Sequence, residues 1–307
     1  MKKIIAIFMT VFLAATMLPF ALADETVSLA SGTGGSGFEL VKDVPADYWG
    51  REALSTLYAD NIMTGYQNYM RPEANITRGE FCAVVNRTFG FSKTEGAETF
   101  SDVNYADKTW KTTAIEIASS QGYLKGTGGK ALADQSITRE QAFTILSRVL
   151  KQDPVKGGTT FSDDAQISSW AREQVNAMWE SGYVKGDQNK INPQGDITRA
   201  ETAQVVCNVM GIRISAAGTY DFSGIAISNM TVTHDGAVIK NAGIKGNLYI
   251  TEGVGTGSAA FERCAVSGNT VISGGGTHSI LLTDTTAGSV KIEVPEGAPA
   301  RLALSGN

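Results

Sequence analysis

Ile76-Thr77-Arg78-Gly79-Glu80, Ile137-Thr138-Arg139-Glu140-Gln141 and Ile197-Thr198-Arg199-Ala200-Glu201 are three versions of one phrase. In each, Thr is followed three residues later by Glu or Gln. That is the capping box that opens an α-helix, because the hydroxyl and the longer side chain satisfy backbone donors that no helical carbonyl reaches. The Ile before each cap sits at the position of a hydrophobic staple, with Phe81 as its natural partner in the first copy. Beyond the cap, Val84-Val85, Ile145-Leu146 and Val205-Val206 supply a buried stripe at helical spacing.

Working outward from these three starts, the whole unit repeats. Val41-Lys42-Asp43-Val44 returns as Phe100-Ser101-Asp102-Val103 and as Phe161-Ser162-Asp163-Asp164. Trp49, Trp110 and Trp170 correspond, as do Gly65, Gly126 and Gly186. A first helix opens near each Trp, with Leu54 and Leu57, Ile115 and Ala118, and Val175 and Met178 on one face. It ends at Gly122 and Gly182 in the second and third copies and near Asn61 in the first, residues that favour the left-handed cap. A two-helix unit with one apolar face per helix cannot bury that face alone, so the copies are expected to pack around a shared axis. The repeats span residues 39–95, 96–155 and 156–214.

The ends of the chain read differently. Lys2 and Lys3, the apolar run from Ile4 to Leu18 and the small residues Ala21 and Ala23 make residues 1–23 a secretory signal peptide. Residues 24–38 form a Gly/Ser-rich linker. With Lys2 and Lys3 gone with the leader, 24 cationic side chains face 31 anionic ones. Such an acidic chain does not bind nucleic acid through a general basic field, and an anionic partner must be met by locally placed cations. No other window reads as a membrane span. The three cysteines, Cys82, Cys207 and Cys264, show no C-x-x-C spacing, and only His234 and His278 are present. Neither a metal site, a disulfide framework nor a cofactor is expected, and the thiols read as inert. Both histidines read as surface loop residues.

After Arg213-Ile214-Ser215 the helical pattern gives way to short β-branched runs. Gly246 to Thr251 recurs as Gly268 to Ser273 and, more loosely, as Gly288 to Glu293. This spacing predicts rungs of a parallel β-solenoid over residues 215–307, with a β-sandwich as the alternative. The acids Asp221, Asp235, Asp284, Glu252 and Glu262 are scattered, and no nucleophilic triad or H-E-x-x-H pattern is present.

The chemistry points to the arginines. Arg at the first helical position opposes the macrodipole by a few tenths to about 1 kcal/mol, yet Arg78, Arg139 and Arg199 all stand there. A guanidinium beside free N-terminal amides receives a carboxylate or phosphate. Alternatively each Arg pairs with Asp43, Asp102 or Asp163 of a neighbouring copy and locks the bundle. The repeated Trp favours the ligand reading, since an aromatic face is a platform for the apolar face of a sugar ring.

F-x-D-V, Trp, G-Y-x-x-G and I-T-R-x-E at about sixty-residue spacing over residues 39–214 resemble the S-layer homology family. The resemblance implies a pseudo-threefold helical bundle whose inter-module grooves bind a secondary cell-wall polysaccharide ending in a pyruvylated, anionic sugar. By the same resemblance, Arg78, Arg139 and Arg199 would hold the carboxylate. Asp43, Asp102 and Asp163 would accept sugar hydroxyls, Trp49, Trp110 and Trp170 would line the grooves, and Gly65, Gly126 and Gly186 would allow close approach. The chain departs from the pattern at Val41, Gln141 and Asp164. The reading that follows is a secreted, non-enzymatic cell-wall anchor, with residues 215–307 as cargo or spacer. A wall-bound glycan hydrolase with its active site in the β region and a self-associating S-layer subunit are the alternatives.

Overall fold

The computed structural model describes residues 37–277, 280–292, 294 and 300–306. The leader, nearly all of the linker, His278 and the end of the third β repeat at Glu293 lie outside the described residues.

Six α-helices come first: α1 (Arg51–Ala59), α2 (Arg78–Phe89), α3 (Trp110–Ser120), α4 (Arg139–Val149), α5 (Arg172–Glu180) and α6 (Arg199–Met210). All three capping boxes close, each Thr hydroxyl accepting from the N3 amide and each N3 side chain accepting from the Thr amide. The first helix of each copy stops where Asn61, Gly122 and Gly182 turn left-handed, at φ 54°, 71° and 71°. The predicted stripes are buried: Leu54, Leu57, Ile115, Ala118, Val175 and Met178 all lie in one core.

The pairing of helices is cyclic. α3 packs on α2, α5 on α4, and α1 of the first copy on α6 of the last. At the centre the three staple isoleucines form a ring of backbone hydrogen bonds: Ile76 N–H donates to Ile197 O, Ile197 N–H to Ile137 O, and Ile137 N–H to Ile76 O. Their side chains are buried, so a closed ring of amides sits inside an apolar collar. This is a pseudo-threefold bundle. Its core also includes Phe38, edge-on to Tyr58, so the ordered bundle begins inside the segment that composition assigns to the linker.

Among the described residues, 212–305 contribute twelve short strands, joined by parallel ladders. In one sheet β2 (Gly218–Asp221), β5 (Ala237–Lys240), β8 (Ala259–Glu262), β10 (Ile280–Thr283) and β12 (Leu302–Ser305) stack in order. In the other, β1 (Ile212–Ile214), β4 (Met230–Val232), β7 (Leu248–Ile250), β9 (Ala265–Ile272) and β11 (Thr286–Ile292) stack alongside. Leu248 stands over Thr270 and Thr270 over Val290, the register that the sequence repeat predicts. The region is a parallel β-solenoid. β1 follows α6 after Gly211 alone, so Ile212 to Ile214 belong to the solenoid rather than to the third repeat.

The solenoid is docked on the bundle. Tyr249 and Val271 join the helical core, and Tyr249 meets Phe89 edge-on. Tyr249 shares a buried polar cluster with Tyr183 and Asn247, whose amide donates to both phenol oxygens. Arg213 reaches back to the Thr88 carbonyl and to Asp60. The β region is therefore packed against the repeats, not strung from them as loose cargo. Among the described residues, no helix is long and apolar enough to cross a membrane.

Candidate functional site

Each second helix begins at a seam between copies. The N1 and N2 amides that the sequence reading left free for an anion are occupied there: Arg78 and Gly79 donate to Gln135 O and Ala133 O of the next copy. Arg139 and Glu140 donate to Gly195 O and Pro193 O, and Arg199 and Ala200 to Ala74 O and Pro72 O. With the N3 amide held by the cap, the helix start offers no open donor set.

The arginine side chains follow the same rotation. Arg78 Nε donates to Ala131 O, Arg139 Nε to Ile191 O and Arg199 Nε to Met70 O. The far end of each guanidinium reaches the capping-box side chain of the next copy. Arg139 lies 2.6 Å from Glu201 and Arg199 3.9 Å from Glu80, while Arg78 donates to Gln141 at 3.2 Å. The lock between copies is thus real, but its acid is the capping-box Glu and not the Asp. The Gln141 departure leaves Arg78 with a neutral partner. Burial presses the pKa of both Arg78 and Arg199 downward.

The three aspartates brace the loops on which the arginines land. Asp43 accepts from Met70 N and Arg71 N, Asp102 from Ala131 N and Leu132 N, and Asp163 from Ile191 N and Asn192 N. Desolvation raises the Asp102 carboxyl, but those two amides, its own amide and the nearby Lys130 charge together hold the group below its ordinary value. The glycines also serve the chain itself. A Cβ at Gly126 would strike the Phe100 ring and the Lys130 carbonyl, and one at Gly186 the Phe161 ring and the Lys190 carbonyl; at Gly65 the obstacle is the Tyr69 carbonyl. The aromatic of F-x-D-V and the glycine are therefore two halves of one contact.

The tryptophans lie on the surface, Trp49 at 57% exposure, Trp110 at 54% and Trp170 at 51%. They are thus not core residues of the bundle, and their rings are open to solvent in all three copies.

One seam opens into a cavity of about 650 Å³. Arg139 and Phe143 come from the second copy, the run Tyr183 to Asp187 with Thr198 and Glu201 from the third, and Trp49 with Glu73 from the first. Arg139, Gly186 and Trp49 are thus brought together, whereas Asp163 is not among the lining residues. Lys185 is the exposed cation here, since Arg139 is already matched by Glu201. Glu73 accepts a hydrogen bond from the Tyr48 hydroxyl, and burial together with that carboxylate raises the Tyr48 pKa.

Comparison with known proteins places this architecture. The model of the S-layer homology domain matches residues 42–82 and 160–203. The chain carries S-layer homology domains. Between the two matches, the middle copy repeats the same capping box, left-handed stop and Asp-braced loop. An amylopullulanase of Thermoanaerobacterium thermosulfurigenes is 34% identical over 53% of this chain and 9% of its own length. The S-layer protein sap of Bacillus anthracis is 27% identical over 67% of this chain and 24% of its own length. A cellulosome-anchoring protein of Acetivibrio thermocellus is 28% identical over 47% of this chain and 34% of its own length. The chain therefore spans about a third or less of these relatives. S-layer homology domains anchor proteins to the cell wall, and they mark this chain as a secreted, cell-surface protein associated with the wall.

Lys185 escaped the sequence reading, and so did the seam that Trp49, itself expected in a groove, would line. Lys185 recurs as Lys125 within Gly182-Tyr183-Val184-Lys185-Gly186 and Gly122-Tyr123-Leu124-Lys125-Gly126, a repeat that could have been read; the first copy has Thr64 there. The placing of Trp49 against the third copy had no local signal, because it follows from ring closure.

Proposed function

We propose that the bundle binds an anionic, pyruvylated secondary cell-wall polysaccharide non-covalently, and that the chain acts by binding, without catalysis. The observation that carries this reading is the 650 Å³ cavity, where Arg139, Lys185 and the exposed Trp49 converge from three different copies. The terminal sugar would lie against the Trp49 face, with its carboxylate at Lys185 and the outer edge of Arg139. By pseudo-symmetry the Arg199 seam with Gly65 and Trp110, and the Arg78 seam with Gly126 and Trp170, are the corresponding positions.

The non-catalytic reading draws support from four solenoid acids that are engaged in structural contacts, three within the solenoid and one, Glu252, with the bundle. Asp221 is held by Ser223 and Asn241, Asp235 by Ser258, Glu262 by Lys240 and Glu252 by Gln121.

Because the arginines fasten the copies together, removing them tests stability as much as binding. The cleaner test is Trp49→Ala with Lys185→Ala, both exposed. This double variant should keep wild-type helical circular dichroism and melting, yet sediment with purified wall sacculi at least about tenfold less well, a loss of about 1.4 kcal/mol. Sacculi stripped of the polymer should retain neither protein. Undiminished sedimentation of the double variant, or of wild type with stripped sacculi, would refute the proposal.

A further inference from the structure

The solenoid is closed at one end and open at the other. Its inner columns start on Ile214 and Tyr220, both buried. Through the ladders, the Ile214 column runs by Val232, Ile250 and Ile272 to Ile292. The Tyr220 column runs by Ile239, Phe261 and Leu282 to Leu304. Every member is buried except the last, and there Ile292 is 50% exposed and Leu304 72%. Side chains that are core in the earlier rungs stand in water in the final one.

The edge beside them is unprotected. β12 reads Leu302-Ala303-Leu304-Ser305, with no charge, proline or bulge, the devices by which exposed edges avoid pairing. Among the described residues, no strand pairs with its outer side. The opposite edge of the same sheet, β2, ends on the charged Asp221. The bundle leaves the open end free, because it docks on the side of the solenoid, through Arg213, Tyr249, Val271 and Lys291.

We infer that two copies of this chain join open end to open end, β12 of one pairing antiparallel with β12 of the other about a two-fold axis. The ladder that already runs from β2 to β12 then continues into the second molecule. With Ala303 on the axis, Leu302 of each copy faces Leu304 of the other. Side chains alternate along a strand, so all four leucines lie on the inner side, where they continue the columns of Ile280 and Leu282. The same register sets Arg301 opposite Ser305 and not opposite its own counterpart, so like charges do not meet. The covered end offers no open core to a second Leu304, so the contact is self-complementary and closes at two copies instead of growing into a filament. One rung is a small face, which sets a modest affinity of about 10 µM. A pair presents two bundles to the wall, and the second attaches at the effective concentration set by the first. The pairing does not depend on the glycan reading above.

Analytical ultracentrifugation of the secreted chain between about 1 and 200 µM should show a monomer–dimer equilibrium with a Kd of about 10 µM. Leu304→Lys changes a side chain that is already in water, so helical circular dichroism and melting should stay as in wild type while the dimer weakens at least about tenfold. Ala303→Cys reads the register independently: mild oxidation should link two copies across the axis. Leu281→Cys, on the same outer face but one strand further from the axis, should stay unlinked, as should wild type. A chain still monomeric at the highest concentration, or one that grows beyond two copies, would overturn the proposal. So would a dimer as tight in Leu304→Lys as in wild type, or equal linking of the two cysteine variants.

Discussion

The bundle and the solenoid are both built from repeats of simple sequence, but one closes and the other stacks. In the bundle every copy touches both others, and the seam between third and first is made of the same parts as the seam between first and second. Within the solenoid each rung pairs with the rungs on either side of it, through parallel ladders and buried columns such as Val232, Ile250 and Ile272. A closed ring makes each copy's stability a property of the trio, whereas a stack adds up rung by rung. Only the closed arrangement brings side chains from three copies to one point, which is why the candidate site lies in the bundle.

The largest effect should come from breaking the ring. Ile137 is fully buried at the axis, and Ile137→Ala should cost about 2–5 kcal/mol. All six helices should lose that stability together in denaturant titrations followed by circular dichroism. Leu282→Ala, on β10, should instead raise amide exchange mainly in β10 and its neighbours β8 and β12. Separate unfolding of individual helix pairs would show that ring closure does not couple the copies.

The arginine spokes come next. Arg139→Ala strands the Glu201 carboxylate and the Ile191 carbonyl, and should destabilise the bundle by about 1–3 kcal/mol. Gln141→Glu supplies Arg78 with the acid that the other two spokes have and keeps the capping box, so it should raise stability by up to about 1 kcal/mol. A destabilised Gln141→Glu protein would show that the seams are not equivalent in geometry.

The smallest effect is expected from pH, and it touches both regions. Asp102 in the bundle is depressed by loop amides acting against desolvation, and Asp164 by Thr159 and Arg172 acting against the same opposition. Asp221 in the solenoid falls to about 2, held by Ser223 and Asn241. Carboxyls whose folded pKa is depressed contribute stability that is whole above their unfolded values near 4 and drains away as pH falls through the folded ones. The melting temperature should therefore hold between pH 7 and 5 and fall between about 4 and 2. Asp221→Asn should flatten the solenoid's share of that fall and leave the bundle's in place. A melting temperature that drops already above pH 5 would point to other groups.

Much of this was legible in the sequence, for reasons that particular residues illustrate. Thr77, Thr138 and Thr198 announce helix starts because a capping box is satisfied within four residues, and Gly122 and Gly182 announce stops because the left-handed turn is a single-residue matter. The rung register of the solenoid could be read because a parallel stack puts each repeat directly on the last. Phe38 was missed because nothing in a Gly/Ser-rich segment marks the one side chain that finds a core.

The candidate site was legible as a list of residues and opaque as an arrangement. Arg, Asp, Trp and Gly recur at fixed spacing, so their membership of a common structure could be inferred from the chain alone. Their partners could not. Whether Arg139 met Asp163, Glu201 or an open space depended on how three distant seams closed at once, and Trp49 reached the third copy only through that closure. Sequence determines interactions made within a turn or repeated at a fixed offset, because there the chain itself sets the distance. Contacts between residues of different copies are set by the packing of all the helices together, and only the tertiary structure decides them.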